Sequence, residues 1–396
     1  MEKGNTTHIL YLDLKKAFDK VSHMKLMQKL LNLGFAFDLV QWIADFLDDR
    51  IQRVVIANKF SGWCNVTSRV PQGSVLGPIL FLIYVNDMAD NISSSLIQYA
   101  DDTKLFRTIL SPADCTALQE DLNRLFTWAK EWNMEFNLDK CCVFSLGGKT
   151  NKNYDHDYIM SQNNTISVMK TVSQVKDLGV IIDQKLSFEE HINGKVTQAF
   201  KMLGILRRAF KFLTIESFPP LYKSLVRSHL EYAHAIWHPR LVGLEKKLEA
   251  VQRRATKLVS SIRLLEYPDR LRVLNLPTLK YRRIRGDMIE LFKLYKGYYN
   301  IDVTFFCKPK IDTGKNLRRQ SHHIMVEFIK NSKAKHFLSR RNVFIWNGLP
   351  EWLIASTTIN QFKDRLDNFW SNQPVVYRFG ETIDPKLYNR DLVDAS

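Results

Sequence analysis

The tetrapeptide Tyr99-Ala100-Asp101-Asp102 lies between two apolar strand-like runs, Leu96-Ile97 before it and Leu105-Phe106 after it. Two carboxylates about 4 Å apart repel by ~1 kcal/mol in water and ~4 kcal/mol at an effective dielectric near 20. A fold that confines such a pair in a cleft therefore needs a cation. Mg²⁺ suits, being a hard ion held by one or two carboxylates together with substrate phosphates. Taken alone, the pair reads as a β-turn tip, where Asp is common and well solvated. Its neighbours along the chain decide between these readings.

At 396 residues, 45% of them hydrophobic and 25% charged, the chain has the composition of a globular protein of two or three domains. The longest apolar stretch, Ile79 to Val85, is far short of the ~18 uncharged residues of a membrane span, so no membrane partner is expected. The N-terminal residues contain no apolar run of signal-peptide length. Cys64, Cys115, Cys141, Cys142 and Cys307 form an odd set, and none makes a C-x-x-C with His at zinc spacing. They read as reduced thiols of an intracellular protein, and His322-His323 has no thiol nearby.

The net charge of +16 is unevenly placed. Residues 1–185 hold 20 Lys+Arg against 21 Asp+Glu, while the rest of the chain holds 37 against 20. In that cationic half, Arg207, Arg208, Arg253, Arg254, Arg282 and Arg283 are interleaved with aromatics such as Trp237 and Tyr281. Bases mixed with aromatics suit a nucleic-acid surface better than a disordered tail does.

Along the first half, strand and helix signals alternate. Ile9-Leu10-Tyr11-Leu12 predicts a buried strand that delivers Asp13 at its end. Ser22 predicts an N-cap, with His23 starting the helix, and Gly34 a C-terminal stop; Leu39 to Leu47 predicts a second helix. Arg50 to Ala57 and Trp63 to Val70 predict strands, Pro71-Gln72-Gly73-Ser74 a turn, and Gly77-Pro78 the start of an apolar helix ending near Asn86-Asp87. After the acidic hairpin come an amphipathic helix, Ser111 to Trp132, and a strand, Asn137 to Leu146. Gly147 to Gln162 reads as a loop and Val175 to Ile182 as a further strand. From there helices dominate: a capping box at Ser187 to Glu190 opens one reaching about Phe212, followed by Pro219–Trp237, Leu244–Ile262 and Thr278–Lys296.

Three blocks now stand in order: Leu12-Asp13-Leu14-Lys15-Lys16-Ala17-Phe18-Asp19, Val70-Pro71-Gln72-Gly73-Ser74-Val75-Leu76-Gly77-Pro78, and Tyr99-Ala100-Asp101-Asp102. In this combination the chain resembles reverse transcriptases, whose motifs A, B and C these blocks match, and most closely those of non-LTR (LINE-type) retrotransposons of the jockey and CR1 groups. The resemblance continues through Asn137-Leu138-Asp139-Lys140, Leu178-Gly179-Val180-Ile181-Ile182-Asp183 and the Trp346-Asn347-Gly348-Leu349-Pro350 tail.

The resemblance implies an RNA-directed DNA polymerase that uses two Mg²⁺ ions, with Mn²⁺ as a substitute, and works on an RNA template, a DNA primer and dNTPs. Asp13 and Asp101 would hold both ions, with Asp102 contributing more weakly. Phe18 would pack under the incoming sugar and exclude a 2′-hydroxyl. Gln72 and Gly73 would approach the template and nascent pair, beside Tyr99, and Lys140 would protonate the leaving pyrophosphate. The expected fold is α+β: an incomplete reverse-transcriptase palm, an antiparallel sheet with helices, over residues 1–185. A helical thumb over 186–262 and a mainly helical, basic C-terminal region over 263–396 would follow.

Two departures qualify the resemblance. Only twelve residues precede Asp13, so the expectation is a chain truncated ahead of motif A, without fingers, endonuclease or zinc knuckle. Arg69 stands where many relatives have Gly. Two functions therefore stay open: a fragment of an active polymerase, or a truncated or co-opted copy that binds nucleic acid without catalysis. Work in the nucleus is implied by the resemblance alone, since no targeting signal is legible; protein partners and oligomeric state are not legible either.

Overall fold

Strand β1 (Thr6–Asp13) follows the period-two rule of a half-buried strand: His8, Leu10 and Leu12 are buried while Ile9 and Tyr11 are half-covered. The computed structural model describes residues 5–147, 156–302, 323–325 and 334–384; Cys307 and His322 lie outside them. The chain divides into two compact units, Met1–Val175 and Lys176–Ser396.

In the first unit β1 is followed by helices α1 (His23–Asn32) and α2 (Phe37–Leu47). Next come the short strands β2 (Ile51–Gln52), β3 (Val55–Ile56), β4 (Lys59–Phe60) and β5 (Cys64–Asn65), with β3 paired to β4 and β2 to β5. Helix α3 (Leu76–Val85), the hairpin β6 (Ser95–Tyr99) and β7 (Asp102–Ile109), and helix α4 (Pro112–Glu131) complete the middle. Strands β8 (Cys142–Gly147), β9 (Ile159–Gln162), β10 (Thr165–Val168) and β11 (Lys170–Val172) end the unit. The main sheet has the order β11-β8-β1-β7-β6, so β1 is its central strand. It is antiparallel except at one edge, where β11 runs parallel to β8.

Leu10, Leu12, Leu105 and Val143 of the sheet share a core with Leu26, Val40, Phe81 and Leu122 from the four helices. Lys29 is buried in it, its ammonium 2.7 Å from Asp87 Oδ1 and 3.8 Å from the centre of the Trp132 ring. Burial lowers the Lys29 pKa against the opposing pull of Asp87. Asp87 also accepts from Trp128 Nε1 at 2.8 Å, so the segment read as a helix end ties α1 to α4. The Ser111 start of α4 is borne out as a capping box with Asp114. Among the described residues Cys64, Cys115, Cys141 and Cys142 are free thiols, and burial pushes Cys141 up to about 11.

The second unit departs further from expectation. The strand expected over Val175 to Ile182 is two strands, β12 (Gln174–Asp177) and β13 (Val180–Asp183), separated by Leu178 and Gly179 at φ 43 and 82. The capping box at Ser187 does not open the next helix, because Asp183 takes its place: its carboxylate accepts from the backbone N–H groups of Lys185, Ser187 and Phe188 at 2.7–3.1 Å. Helix α5 (Glu189–Ala209) follows, ending three residues before the predicted Phe212. The long helix expected over Pro219 to Trp237 is broken into α6 (Phe218–Tyr222), a π-helical turn at Lys223–Arg227, α7 (Ser228–Glu231) and α8 (His234–Trp237), with Ala233 at φ 54.

Helices α9 (Val242–Ala255), α10 (Tyr267–Val273) and α11 (Leu279–Tyr295) lead to a tail of α12 (Leu338–Arg341), α13 (Val343–Asn347), α14 (Glu351–Ile354) and α15 (Ile359–Phe369). The Trp-Asn-x-Leu-Pro stretch is structural here: Trp346 is fully buried beside Phe362, and the Asn347 side chain makes two 2.9 Å hydrogen bonds to the backbone of Ile324. Asp287 on α11 is buried and accepts a guanidinium fork from Arg341 at 2.7 and 2.9 Å, plus a 3.0 Å bond from Asn342 Nδ2.

His191 on α5 is buried, and its Nδ1 accepts the Ile181 N–H at 3.2 Å, which puts the ring proton on Nε2. Burial, helped by Lys195, lowers its pKa from 6.5 to about 4. The unfolded chain then binds the extra proton first, so this contribution to stability is whole above pH 6.5 and is lost as the pH falls through about 4. The expected loss is about 3 kcal/mol. Urea unfolding of His191→Gln, compared with the parent between pH 7 and 4, should show a shallower fall in stability.

Candidate active site

Antiparallel pairing of β1 with β7 sets Asp13 directly opposite Asp102, in the same register that pairs Leu12 with Thr103 and Leu10 with Leu105. Directly opposed residues share a face with Cβ atoms ~5 Å apart, and like charges so placed are destabilising. The Asp102 side is exposed, so water screens much of that repulsion. Asp101 occupies the adjoining two-residue turn behind Ala100, which is held at φ 55. The three acidic residues therefore lie at one end of the sheet.

A cation already stands there. The N–H of Asn137 donates to the Asp13 carbonyl at 2.7 Å, that of Lys15 donates to the Glu135 carbonyl at 2.7 Å, and Leu14 bridges Phe136. This docking swings the following turn round to place Lys140 Nζ 3.0 Å from Asp13 Oδ2. Asp13 raises the Lys140 pKa, with smaller contributions from Asp101 and Asp102. Asp13 Oδ2 is buried, and the Lys140 ammonium is the cation that faces it. Among the described residues no three His, Cys, Asp or Glu side chains already enclose a metal position.

Phe18 lies on the 3₁₀ turn Ala17–Lys20 and stacks on Phe81 of α3, ring centres 4.6 Å apart and planes at 23°. Its carbonyl accepts the Val70 N–H at 3.0 Å, which ties this turn to the next block. There Gln72 and Gly73 are exposed, and Gly73 sits at φ 85 with open space where a Cβ would be. The close approach falls instead on Gly77, whose Cβ would lie 2.3 Å from the Pro71 carbonyl oxygen. Tyr99 pairs with Asp102 across the hairpin turn and is 66% exposed. His23 starts α1, as its position suggests, and its Nε2 is 2.8 Å from the Arg69 carbonyl oxygen.

Sequence reasoning overlooked Asp121. It lies on the apolar stripe of α4 between Leu118, Leu122 and Leu125, and an acid on such a stripe is the signal that could have found it. Fully buried, it accepts from Ser93 and Ser94 N–H groups at 3.1 and 2.7 Å and from Arg124 at 2.5 Å, anchoring the approach to β6. Burial alone would raise its pKa, but the Ser93 and Ser94 hydrogen bonds pull it below the usual range.

The bases and aromatics singled out in the second unit sort into two groups. Arg207, Arg208, Arg253 and Arg254 are exposed. Trp237, Tyr281 and Arg283 are buried, and Arg282 forks onto Glu231, so these four are spoken for within the protein. They were nominated because helical periodicity cannot tell a buried base from a surface one.

A palm of this topology, with acids on its central strand and on the neighbouring hairpin turn, defines a polymerase-type fold. Residues 1–205, just over half of the chain, match the family described as reverse transcriptase (RNA-dependent DNA polymerase), and the chain belongs to that family. It is similar to the RNA-directed DNA polymerase from mobile element jockey of Drosophila melanogaster, 28% identical over 263 residues that cover 63% of this chain and 28% of that protein. Its counterpart in Drosophila funebris is 31% identical over 250 residues, 60% of this chain and 26% of that one. The chain thus spans about a quarter of the length of these relatives. Among solved structures it is similar to an apo telomerase from Candida tropicalis, with a TM-score of 0.35 and 10% identity over 68% of this chain and 46% of that one. The likeness to a LINE-type reverse transcriptase and the α+β fold are borne out. No helix of the described residues is long and apolar enough to cross a membrane.

Arg69, in the place where many relatives have Gly, has φ 99, a conformation that favours glycine. Thermal unfolding should therefore find Arg69→Gly more stable than Arg69→Ala by about 1 kcal/mol, since both lose the side chain and only Gly relieves the backbone. A second measurement addresses Lys140. Its Nζ should titrate above the ordinary lysine range by NMR and return towards that range in Asp13→Asn.

Proposed function

We propose that this chain carries the nucleotidyl-transfer centre of an RNA-directed DNA polymerase, extending a DNA primer on an RNA template with dNTPs. The observation that carries the reading is the Asp13–Asp102 register pair, with Asp101 in the adjoining turn and Lys140 beside Asp13. Two carboxylates set opposite each other fit a site that holds dications. Asp13, Asp101 and Asp102 suit two Mg²⁺ ions as hard oxygen ligands, and the ammonium of Lys140 beside Asp13 shows that this end of the sheet takes a cation. Bound there, such ions would supply Lewis-acid stabilisation of the attacking and leaving oxygens.

The remaining roles belong to the chain's own residues. Lys140 keeps its proton at Nζ beside the acids and is read as the donor to the departing pyrophosphate. Phe18 cannot swing away from Phe81 without losing its stacking, so it forms a stiff floor for a sugar and excludes a 2′-hydroxyl. Gln72 and Gly73 form a wall for the nascent pair, linked to that floor through the Val70–Phe18 hydrogen bond. Tyr99 flanks the turn at the same end. The exposed Arg207, Arg208, Arg253 and Arg254 suit contacts with duplex phosphates. An element that copies itself into chromosomes would do this work in the nucleus.

Primer extension on an RNA template with Mg²⁺ and dNTPs tests the reading. Asp13→Asn, Asp101→Asn and Asp102→Asn should each lower extension, the first by about 10³-fold. Parent activity no higher than that of Asp13→Asn, with primer–template binding intact, would leave the non-catalytic binding copy as the correct reading.

A further inference from the structure

The ribbon of β2 to β5 has no part in the chemistry above, yet it is built with care. Ala57 and Asn58 join β3 to β4 at φ 46 and 62, the two positive values of a type I′ turn. The Ser61 N–H donates to the Val54 carbonyl and the Val54 N–H to Ser61 Oγ, both at 2.9 Å, so the hairpin is closed at its base. The Arg53 guanidinium lies 4.2 Å from the Phe60 ring centre and 4.5 Å from that of Trp63. Both rings remain exposed, by 57% and 58%, and Ile56 at the tip by 71%. An uncovered two-stranded ribbon is marginal in water, and one that presents two rings steadied by a guanidinium is shaped for a flat ligand.

Charge selects which flat ligand. From Arg50 to Asn86 the chain holds Arg50, Arg53, Lys59 and Arg69 and no acid at all, while the rest of residues 1–185 holds 16 Lys+Arg against 21 Asp+Glu. Position selects its place. Arg69 bonds Gln52 of the ribbon through its side chain, and the next residue, Val70, bonds Phe18 of the active site. The ribbon and the Gln72-Gly73 turn are thus joined over a few residues.

We propose that the Arg50–Asn65 ribbon is a stacking platform for an unpaired nucleic-acid strand, with bases on Phe60 and Trp63 and phosphates met by the ribbon's arginines and lysine. In the polymerase reading, on which the identity of the strand rests, this is the unpaired template next to the duplex. The binding itself needs no catalysis.

The test is equilibrium binding of short fluorescent single-stranded RNA and DNA of one sequence, and of a blunt duplex, to the full chain. Trp63→Ala and Phe60→Ala should each weaken single-strand binding by roughly five- to a hundredfold, the range for losing one stacked base. Trp63→Phe should restore most of it, duplex binding should hold, and Phe344→Ala, exposed on the other unit, should change nothing. RNA and DNA should lose affinity alike, because a base presents its face in both; a loss confined to one sugar overturns the stacking contact. Unchanged affinity in correctly folded Trp63→Ala and Phe60→Ala overturns the proposal, and a shift in sedimentation without loss of affinity identifies a second protein copy as the occupant instead. Primer extension by the parent chain and by Trp63→Ala is measured beside single-strand binding. Loss of extension with stacking intact, or the reverse, therefore separates a failure of the catalytic reading from a failure of this one.

Discussion

The opposition of Asp13 and Asp102 is electrostatically unfavourable, and eight consecutive register pairs between β1 and β7 hold it in place. The screened repulsion is outweighed by burial of Leu10, Leu12 and Leu105. Each contributes about 2 kcal/mol, and a slip of β1 by one residue would turn Leu10 and Leu12 towards solvent. The apolar face thus sets the acids against each other. Lys140, brought in by the 135–140 turn, partly offsets the cost.

Around that pair the protein uses one device repeatedly: a backbone or buried polar group that pins a loop to a rigid element. Asn137 N–H pins the Lys140 turn to β1, Val70 N–H pins the Gln72 turn to Phe18, and Asp121 pins the approach to β6 onto α4. Lys29 and Asp87 do the same for α1 and α4 from inside the core. In the second unit Asp287 receives Arg341 and Asn342, which holds the tail helices to α11. Such buried polar groups contribute little net stability, but losing one partner strands the other at a cost of several kcal/mol, so they specify a single arrangement.

Legibility in the sequence followed the length of the contacts involved. The strand ending in Asp13, the helix from Ser111 and the helix near Gly77-Pro78 were all readable, because alternation, capping and proline placement act within a few residues. The helix expected over Pro219 to Trp237 failed because Ala233 adopts a left-handed backbone that no local pattern announces. The Ser187 capping box failed because Asp183, four residues earlier, captured the same backbone donors. Arg283, Trp237 and Tyr281 looked like surface groups and proved to be core, since one-dimensional spacing marks a helix face without saying what covers it.

For the site, the sequence by itself determined the residue types: three acids, an aromatic after the first of them, a Gln-Gly turn and a lysine, in the order of a reverse transcriptase. Identity and spacing along the chain are enough for that, because the chemistry is written in side chains. Only the tertiary structure decided that Asp102 faces Asp13 while Asp101 stands in the turn, that Lys140 reaches Asp13, and that Arg69 sits where glycine would be at ease. Those facts depend on strand register, loop docking and backbone torsion. Apart from the local Asp101 turn, each is fixed by contacts between residues tens of positions apart or more, so no local reading could supply it.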